Sequence, residues 1–326
     1  MKSLAERLKQ TYYPFIDGKK VLEIGSSDGE QLLAFKQTGC QILGYEPSSV
    51  LCEISEKKSV PTIQGLFSSE AVDKLPPNFK EVDIVMLSYT FDHLPDPISF
   101  LNSVVPILNK DEGLLVVEIH NFERIVERQE YCLFEHEHSI YLTEKTVNQI
   151  CNLAGLVVID FDLVPEVERR ANSLIFIATP LNGRFSKKST TPRTPKEFNN
   201  LSFYENIGKD IQKGISNLEI FVERATSNNK KLIGYGAGGR GVMTLAAIKN
   251  ASKITYILDK NPKNNGLLAP KTYLPVYSID RLRIEPVDSI LVFSFGYMKE
   301  IQEELSGFGY QPDQFHSLLN VLAGSC

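Results

Sequence analysis

The sequence predicts two doubly wound α/β domains joined by a long helix, and three observations carry that expectation. Short runs rich in β-branched and apolar residues alternate with helix-length segments in two separate blocks, the pattern of βαβ units whose parallel sheets are covered on both faces. Each block opens on an apolar run that breaks into glycines, at 20–29 and again at 231–241. Between the blocks the composition turns to Asn, Gly, Ser, Lys, Thr and Pro from 180 to 196, after which apolar residues recur at helical spacing over 198–228.

Taken in order, the first block has expected strands at 20–24, 41–45, 83–88 and 114–119, with helices near 29–37, 50–57 and 97–108; strands at 156–161 and 173–179 complete the sheet. The first domain is placed at 1–180. A linker and bridging helix follow at 181–229, the helix marked by a stripe of Leu201, Ile207, Ile211, Ile215, Leu218 and Val222. The second domain, 230–326, carries expected strands at 231–235, 254–258 and 289–294.

A chain of 326 residues with 42% hydrophobic and 23% charged residues has material for two folded cores. No apolar stretch approaches the roughly 18 residues that cross a bilayer, and residues 1–10 are charged and helical instead of leader-like, so a cytoplasmic location is expected. A net charge of −5 argues against nucleic acid as a partner, because phosphate binding needs a clustered basic face. The one basic run, 187–196, lies among Ser, Thr and Pro and reads as a solvated connector. The five cysteines form no CxxC pair, so buried reduced thiols are expected instead of a zinc site or disulfides.

Val21-Leu22-Glu23-Ile24-Gly25-Ser26-Ser27-Asp28-Gly29 reads as a strand passing through a turn into a helix. Gly25 and Gly29 remove side chains where a ligand would approach the backbone, and the helix start offers free N–H groups. The next strand ends in Glu46, 17 residues past Gly29, where a carboxylate can accept hydrogen bonds from both ribose hydroxyls. These residues alone fit equally a tight strand-to-helix turn beside a surface carboxylate. The string resembles the Glu-x-Gly-x-x-x-Gly loop of class I S-adenosylmethionine-dependent methyltransferases, and Gly44-Tyr45-Glu46-Pro47-Ser48 is similar to the end of their second strand. That resemblance implies S-adenosylmethionine as cofactor, bound by Glu23, Gly25, Ser27, Asp28, Gly29 and Glu46, with His93 of Phe91-Asp92-His93-Leu94-Pro95-Asp96 lining its pocket.

The similarity extends to 134–143, 234–241 and 259–276, where the chain resembles the nucleotide-sugar C-methyltransferases. That family joins a class I methyltransferase domain to a second Rossmann-like domain that helps hold a nucleotide-linked keto sugar. It methylates the carbon beside the ketone after a histidine removes that carbon's proton. The reaction asks for a base of near-neutral pKa, a donor or oriented water for the developing enolate oxygen, and a methyl sulfonium held in line. Glu135-His136-Glu137-His138-Ser139-Ile140-Tyr141 is similar to the family's Tyr-x-Glu-His segment, which implies His138 as the base and Glu137 as its neighbour. Glu135 stands where the family has tyrosine, and residues 1–18 lack the cysteines of its N-terminal zinc module. The same segment, read without the resemblance, is a solvated loop of alternating charge.

No metal is expected: His136 and His138 are two apart, and although His93 and His120 could join them in space, no helical HxxxH or HxxE spacing supports a preformed site. His120 ends a strand without an assigned role, and His316 reads as structural. In the second block, Gly234-Tyr235-Gly236-Ala237-Gly238-Gly239-Arg240-Gly241 follows a strand and opens a helix, with Asp259 lying 20 residues past Gly239. By itself this is a dinucleotide fingerprint and supports an NAD-dependent oxidoreductase. The family resemblance implies instead a nucleotide-sugar site formed by Gly236, Gly239, Arg240, Asp259 and Lys263, the two cations facing phosphate. The same residues are compatible with a methyltransferase acting on an oxygen acceptor and with a noncatalytic nucleotide-binding protein.

Overall fold

The computed structural model describes residues 2–134, 137–165, 168 and 172–325. The chain forms two compact units, 1–123 with 136–194 and 124–135 with 195–326. Residues 181–194, whose composition reads as linker, fold with the first unit. Phe185 is buried there against the rings of Tyr12 and Tyr13, with centroids 5.4 and 5.9 Å away. A single apolar anchor in a polar stretch leaves no periodicity to read.

The first unit is built on strands β1 (Lys20–Ile24), β2 (Gln41–Glu46), β3 (Thr62–Gln64), β4 (Ile84–Ser88), β5 (Leu114–His120), β6 (Leu156–Phe161) and β7 (Ser173–Pro180), in the order β3-β2-β1-β4-β5-β7-β6. β7 runs antiparallel to both of its neighbours, and the other pairs are parallel. Its helices are α1 (Lys2–Thr11), α2 (Glu30–Lys36), α3 (Ser49–Lys57), α4 (Ser69–Lys74), α5 (Pro97–Val104), α6 (Phe122–Glu127), within which the division between units falls, and α7 (Glu144–Leu153). Two hydrophobic cores explain the near-continuous apolar strands. Along β5, Leu115, Val117 and Ile119 enter one core while Leu114 and Val116 enter the other. Each such side chain contributes about 1.5–3 kcal/mol on burial. Local signals set the helix starts: Asp96 accepts from the Ser99 N–H with Pro97 at the first helical position of α5, and Thr143 with Thr146 forms a capping box on α7.

The strand order reverses between β1 and β4. In open α/β sheets ligands bind outside the carboxyl ends of the strands at such a point. Gly25, Glu46, residues 89–93 and His120 all follow or end strands at that edge.

The second unit has an all-parallel sheet of β8 (Leu232–Tyr235), β9 (Ile257–Leu258), β10 (Val276–Tyr277), β11 (Ser289–Val292) and β12 (Phe315–Ser317), ordered β10-β9-β8-β11-β12. Its helices are α8 (Leu201–Ala225), α9 (Gly239–Ala247), α10 (Arg281–Ile284), α11 (Met298–Ser306) and α12 (Leu318–Leu322). Both units are therefore doubly wound, Rossmann-like α/β folds. α8 is the long helix predicted at 198–228, but its apolar stripe is buried only in the second half, at Leu218, Phe221 and Val222, whereas Leu201 is exposed. Among the described residues no helix is long and apolar enough to cross a membrane.

Candidate active site

Gly25, Ser27 and Gly29 take left-handed φ values of 74°, 51° and 76°, which fold the chain sharply over the end of β1 into α2. A Cβ placed on Gly25 would lie 2.2 Å from Thr90 Oγ1, and one on Gly29 would lie 3.0 Å from the Val60 side chain. Glycine is thus demanded at both places by backbone and packing, before any ligand is considered. The Thr90 contact seats the β1 turn directly against the segment that follows β4.

Glu46, only 5% exposed, accepts from the Ser27 N–H through Oε2 and from the Ser48 N–H through Oε1, both at 2.9 Å. The sequence predicts this carboxylate facing a ribose; here it holds the glycine turn closed, and its remaining lone pairs can still take a hydroxyl. Asp28 accepts from Lys58 Nζ at 2.7 Å and from the Glu30 N–H at 3.3 Å, and Lys58 holds its carboxyl below the usual carboxylate range. Glu23 is different. It is 1% exposed, its Oε2 has no hydrogen-bond partner, and burial followed by Asp28 and Glu46 pushes its pKa well above the ordinary value. The Ser26 hydroxyl, also buried, has no partner either. Unsatisfied polar atoms beside a glycine turn at the switch point fit a polar ligand there, as the expected cofactor requires.

A second group gathers past the ends of β4 and β5. Asp92, 3% exposed in the turn Phe91–His93, accepts from the His120 ring Nδ1 at 2.7 Å and from the His120 backbone N–H at 3.3 Å. Burial pushes the Asp92 carboxyl up, but the hydrogen bonds and charge of His120 hold it below the usual range. The Asp92 carbonyl accepts from the backbone N–H groups of Ser139 (2.9 Å) and Ile140 (3.3 Å), and the Ser139 hydroxyl donates to the His93 carbonyl at 3.2 Å. These bonds pin the chain beside His138, whose ring centroid lies 4.7 Å from His120 and 4.9 Å from His93. Tyr89, at a left-handed φ of 50°, packs on His120 at 4.7 Å and donates to Glu118 at 3.2 Å. Strained backbone of this kind concentrates at functional sites.

Three of the chain's five histidines thus meet around one buried aspartate. Coordinating atoms of Asp92, His120 and His138 lie within 4.8 Å of one another, a grouping that motif spacing did not foresee. Asp92 and His120 are 28 residues apart and fit no motif. Their signal is topological, since both stand at the carboxyl ends of neighbouring strands. Glu137, the predicted partner of His138, is an exposed turn residue, and Glu135 and His136 lie outside the described residues.

In the second unit the glycine-rich loop ends β8. Gly236 has φ 103°, and Cβ atoms on Gly234, Gly236 and Gly241 would strike the Phe293 ring, Ser294 Oγ and the Gly236 carbonyl at 2.6, 2.6 and 2.1 Å. Gly239 begins α9. Asp259 accepts from the Ala237 N–H and the Asn261 N–H, each at 2.7 Å. Arg240, predicted to face phosphate, has its guanidinium 3.6 Å from the buried Glu130 and 4.4 Å over the Phe295 ring. Lys263 is exposed.

Residues 1–160 match a methyltransferase domain family, and residues 190–317 match the C-methyltransferase C-terminal domain family. The C-methyltransferase NovU of Streptomyces niveus is 23% identical over 291 residues, which span 87% of this chain and 68% of that protein. Among solved structures, a SAM-dependent methyltransferase from Archaeoglobus fulgidus is 20% identical, covering 55% of this chain and 94% of its own, with a TM-score of 0.40. A TehB-like SAM-dependent methyltransferase from Corynebacterium glutamicum is 13% identical over 55% of this chain and 87% of its own, with a TM-score of 0.39.

Proposed function

This chain belongs to the class I S-adenosylmethionine-dependent C-methyltransferases, and we propose that it methylates the carbon beside the ketone of a nucleotide-linked keto sugar, with His138 as general base. The observation that carries this reading is the meeting of His138 with His93 and His120 at the strand ends, where Thr90 joins that edge to the Gly25 turn. S-adenosylmethionine, when bound, supplies a methyl group made electrophilic by its sulfonium. The turn from Gly25 to Gly29, tied by Glu46 and Asp28 and flanked by the unpartnered Glu23, would hold that cofactor, with His93 toward its methyl end. His138 takes the acceptor's proton, and its placement by the Ser139 and Ile140 backbone bonds fixes where that proton must be presented. Gly236, Gly239, Arg240, Asp259 and Lys263 are assigned to the nucleotide of the acceptor. Four buried free cysteines suit the reducing cytoplasm.

The test supplies methyl-labelled S-adenosylmethionine and a panel of uridine- and thymidine-diphosphate sugars with and without a ketone. The label is expected on carbon in the keto sugars alone, with exchange of that carbon's proton in deuterated water. Label on oxygen, or equal turnover of sugars lacking a ketone, would overturn the reading. His138→Ala should slow turnover about 10²–10⁴-fold, the usual contribution of a positioned base, while S-adenosylhomocysteine still binds in calorimetry.

A further inference from the structure

We propose that Asp92, His120 and His138 form a binding site for one divalent transition-metal ion of the zinc class, and that the bound ion withdraws His138 from proton transfer and so inhibits the enzyme. The site stands on the placement of its donors; the inhibition rests on the reading of His138 as the base.

A carboxylate oxygen of Asp92 and one ring nitrogen of each histidine all lie within 4.8 Å of one another. Donors held by one zinc ion at about 2.0–2.2 Å stand roughly 3.4 Å apart in a tetrahedron, so no pair needs to close by more than about 1.4 Å. Rotation about the imidazole χ2, a broad torsion, covers such a distance. The 2.7 Å contact of Asp92 Oδ2 with His120 Nδ1 is already shorter than that spacing. The second oxygen of Asp92, Oδ1, is buried without a hydrogen-bond partner, His93 Nε2 standing 3.9 Å off. A carboxylate 3% exposed with accepting capacity unused is suited to a cation.

The three donors come from three segments held in place before any ion arrives. β4 and β5 are parallel neighbours, which sets Asp92 beside His120, and the Asp92 carbonyl accepts from the Ser139 and Ile140 N–H groups, which brings the chain at His138 to the same turn. Asp92 is buried whereas His120 and His138 are half-buried, so the site has a closed floor and a side that an ion can enter. Two imidazoles with one carboxylate favour zinc, cobalt or nickel over magnesium and calcium, which take oxygen ligands. Three protein ligands leave a fourth position open. A neutral imidazole has one accepting nitrogen; once that lone pair is on the metal, the other nitrogen carries the ring proton and nothing is left to take a proton from the acceptor.

Cobalt(II), a spectroscopic substitute for zinc, tests the site in the metal-stripped full chain. One equivalent should bind, giving the intense visible absorption of low-symmetry cobalt that the hydrated ion lacks, and zinc but not magnesium should displace it. His120→Gln and Asp92→Asn should each weaken cobalt by more than the roughly 10–100-fold that loss of an outer-shell partner costs. Unchanged S-adenosylhomocysteine affinity in both variants shows that they are folded. With a nucleotide-linked keto sugar that the wild type methylates, one equivalent of zinc should lower turnover in proportion to occupancy, and a chelator should restore it. Wild type that binds no cobalt, or His120→Gln that binds it equally well, overturns the site and leaves the methyl-transfer reading standing. Turnover lost on stripping and regained with zinc overturns the inhibition and the base role of His138 together. A wild type that methylates no keto sugar overturns the functional reading, and with it the inhibition, while the cobalt titration still decides the site.

Discussion

The two glycine-rich loops are built by the same rule and surrounded by different chemistry. In each, the acidic residue that follows the second strand clasps two backbone N–H groups, one from the glycine turn and one two residues downstream: Glu46 holds Ser27 and Ser48, and Asp259 holds Ala237 and Asn261. Read as spacing, each of these acids announces a ribose. In the structure both serve first as clamps on their own loops. The distinction lies in what stands nearby. The first loop touches Thr90, which leads into Asp92 and the three imidazoles, and has the unpartnered Glu23 beside it. The second is packed by Phe293 and Ser294, and its arginine is stacked on Phe295 near Glu130. A glycine turn with a following acid describes a way to end a strand; the side chains around it decide whether chemistry occurs.

The largest effect that would sharpen this contrast is expected at Gly241. Its Cβ would sit 2.1 Å from the Gly236 carbonyl oxygen, a backbone atom that cannot yield cheaply. Gly241→Ala should destabilise the protein by about 1–3 kcal/mol or more through overpacking, seen as a lower midpoint in thermal unfolding. Gly238, with φ −73° and nothing within 4 Å of an added Cβ, is the control. Gly238→Ala should stay within about 0.5 kcal/mol of wild type. Equal melting of the two variants would remove the packing account of the second loop. Gly25→Val, by contrast, is a poor probe of cofactor binding, because strain and the Thr90 side chain intervene before the ligand does.

Much of the fold was legible. β1 and β6 fall where the pattern placed them, and β2, β4, β5 and β7 differ by a residue at one end, because strands covered on both faces leave nearly unbroken apolar runs. β3, β10 and β12 were missed, being two or three residues long at or near sheet edges. The sharp turn after β1 was legible through its glycines. The Asp92–His120 pair was not, since it exists only because β4 and β5 are neighbours, and neighbourhood in a sheet leaves no spacing in the chain.

An intermediate effect is expected at Arg240, where the comparison can be broken. If the second loop holds phosphate, Arg240→Ala should weaken binding of free uridine diphosphate by about 1.5–3 kcal/mol, a lost charge-assisted hydrogen bond, and leave S-adenosylhomocysteine affinity unchanged. The same variant removes a cation from the buried Glu130, so some loss of melting temperature should accompany it. Lys263→Ala separates the two causes, since this exposed side chain can affect nucleotide binding without touching stability. Lower stability in Arg240→Ala with uridine diphosphate affinity intact would make the second loop a packing device alone.

The smallest effect concerns Glu23, two residues before the first turn glycine; the corresponding place in the second loop is Gly234. Burial, then Asp28 and Glu46, raise its native pKa well above the ordinary value. The native state therefore keeps this proton to higher pH than the unfolded chain, in which the group titrates near the ordinary value of about 4.3. The sign follows from linkage. The contribution of Glu23 to stability is complete below about pH 4.3 and is lost as pH rises through the raised native value. Glu23→Gln keeps the shape and has no proton to lose, so the wild-type melting temperature should fall relative to the variant as pH is raised from about 4.3 toward alkaline values. The cofactor's ammonium and sulfonium groups would favour the ionised carboxyl. S-adenosylmethionine binding should then release protons in wild type, measured calorimetrically in buffers of different ionisation enthalpy, and release fewer in Glu23→Gln. Parallel pH curves for the two proteins would show that Glu23 is ionised in both states and would remove the most distinctive feature of the first loop.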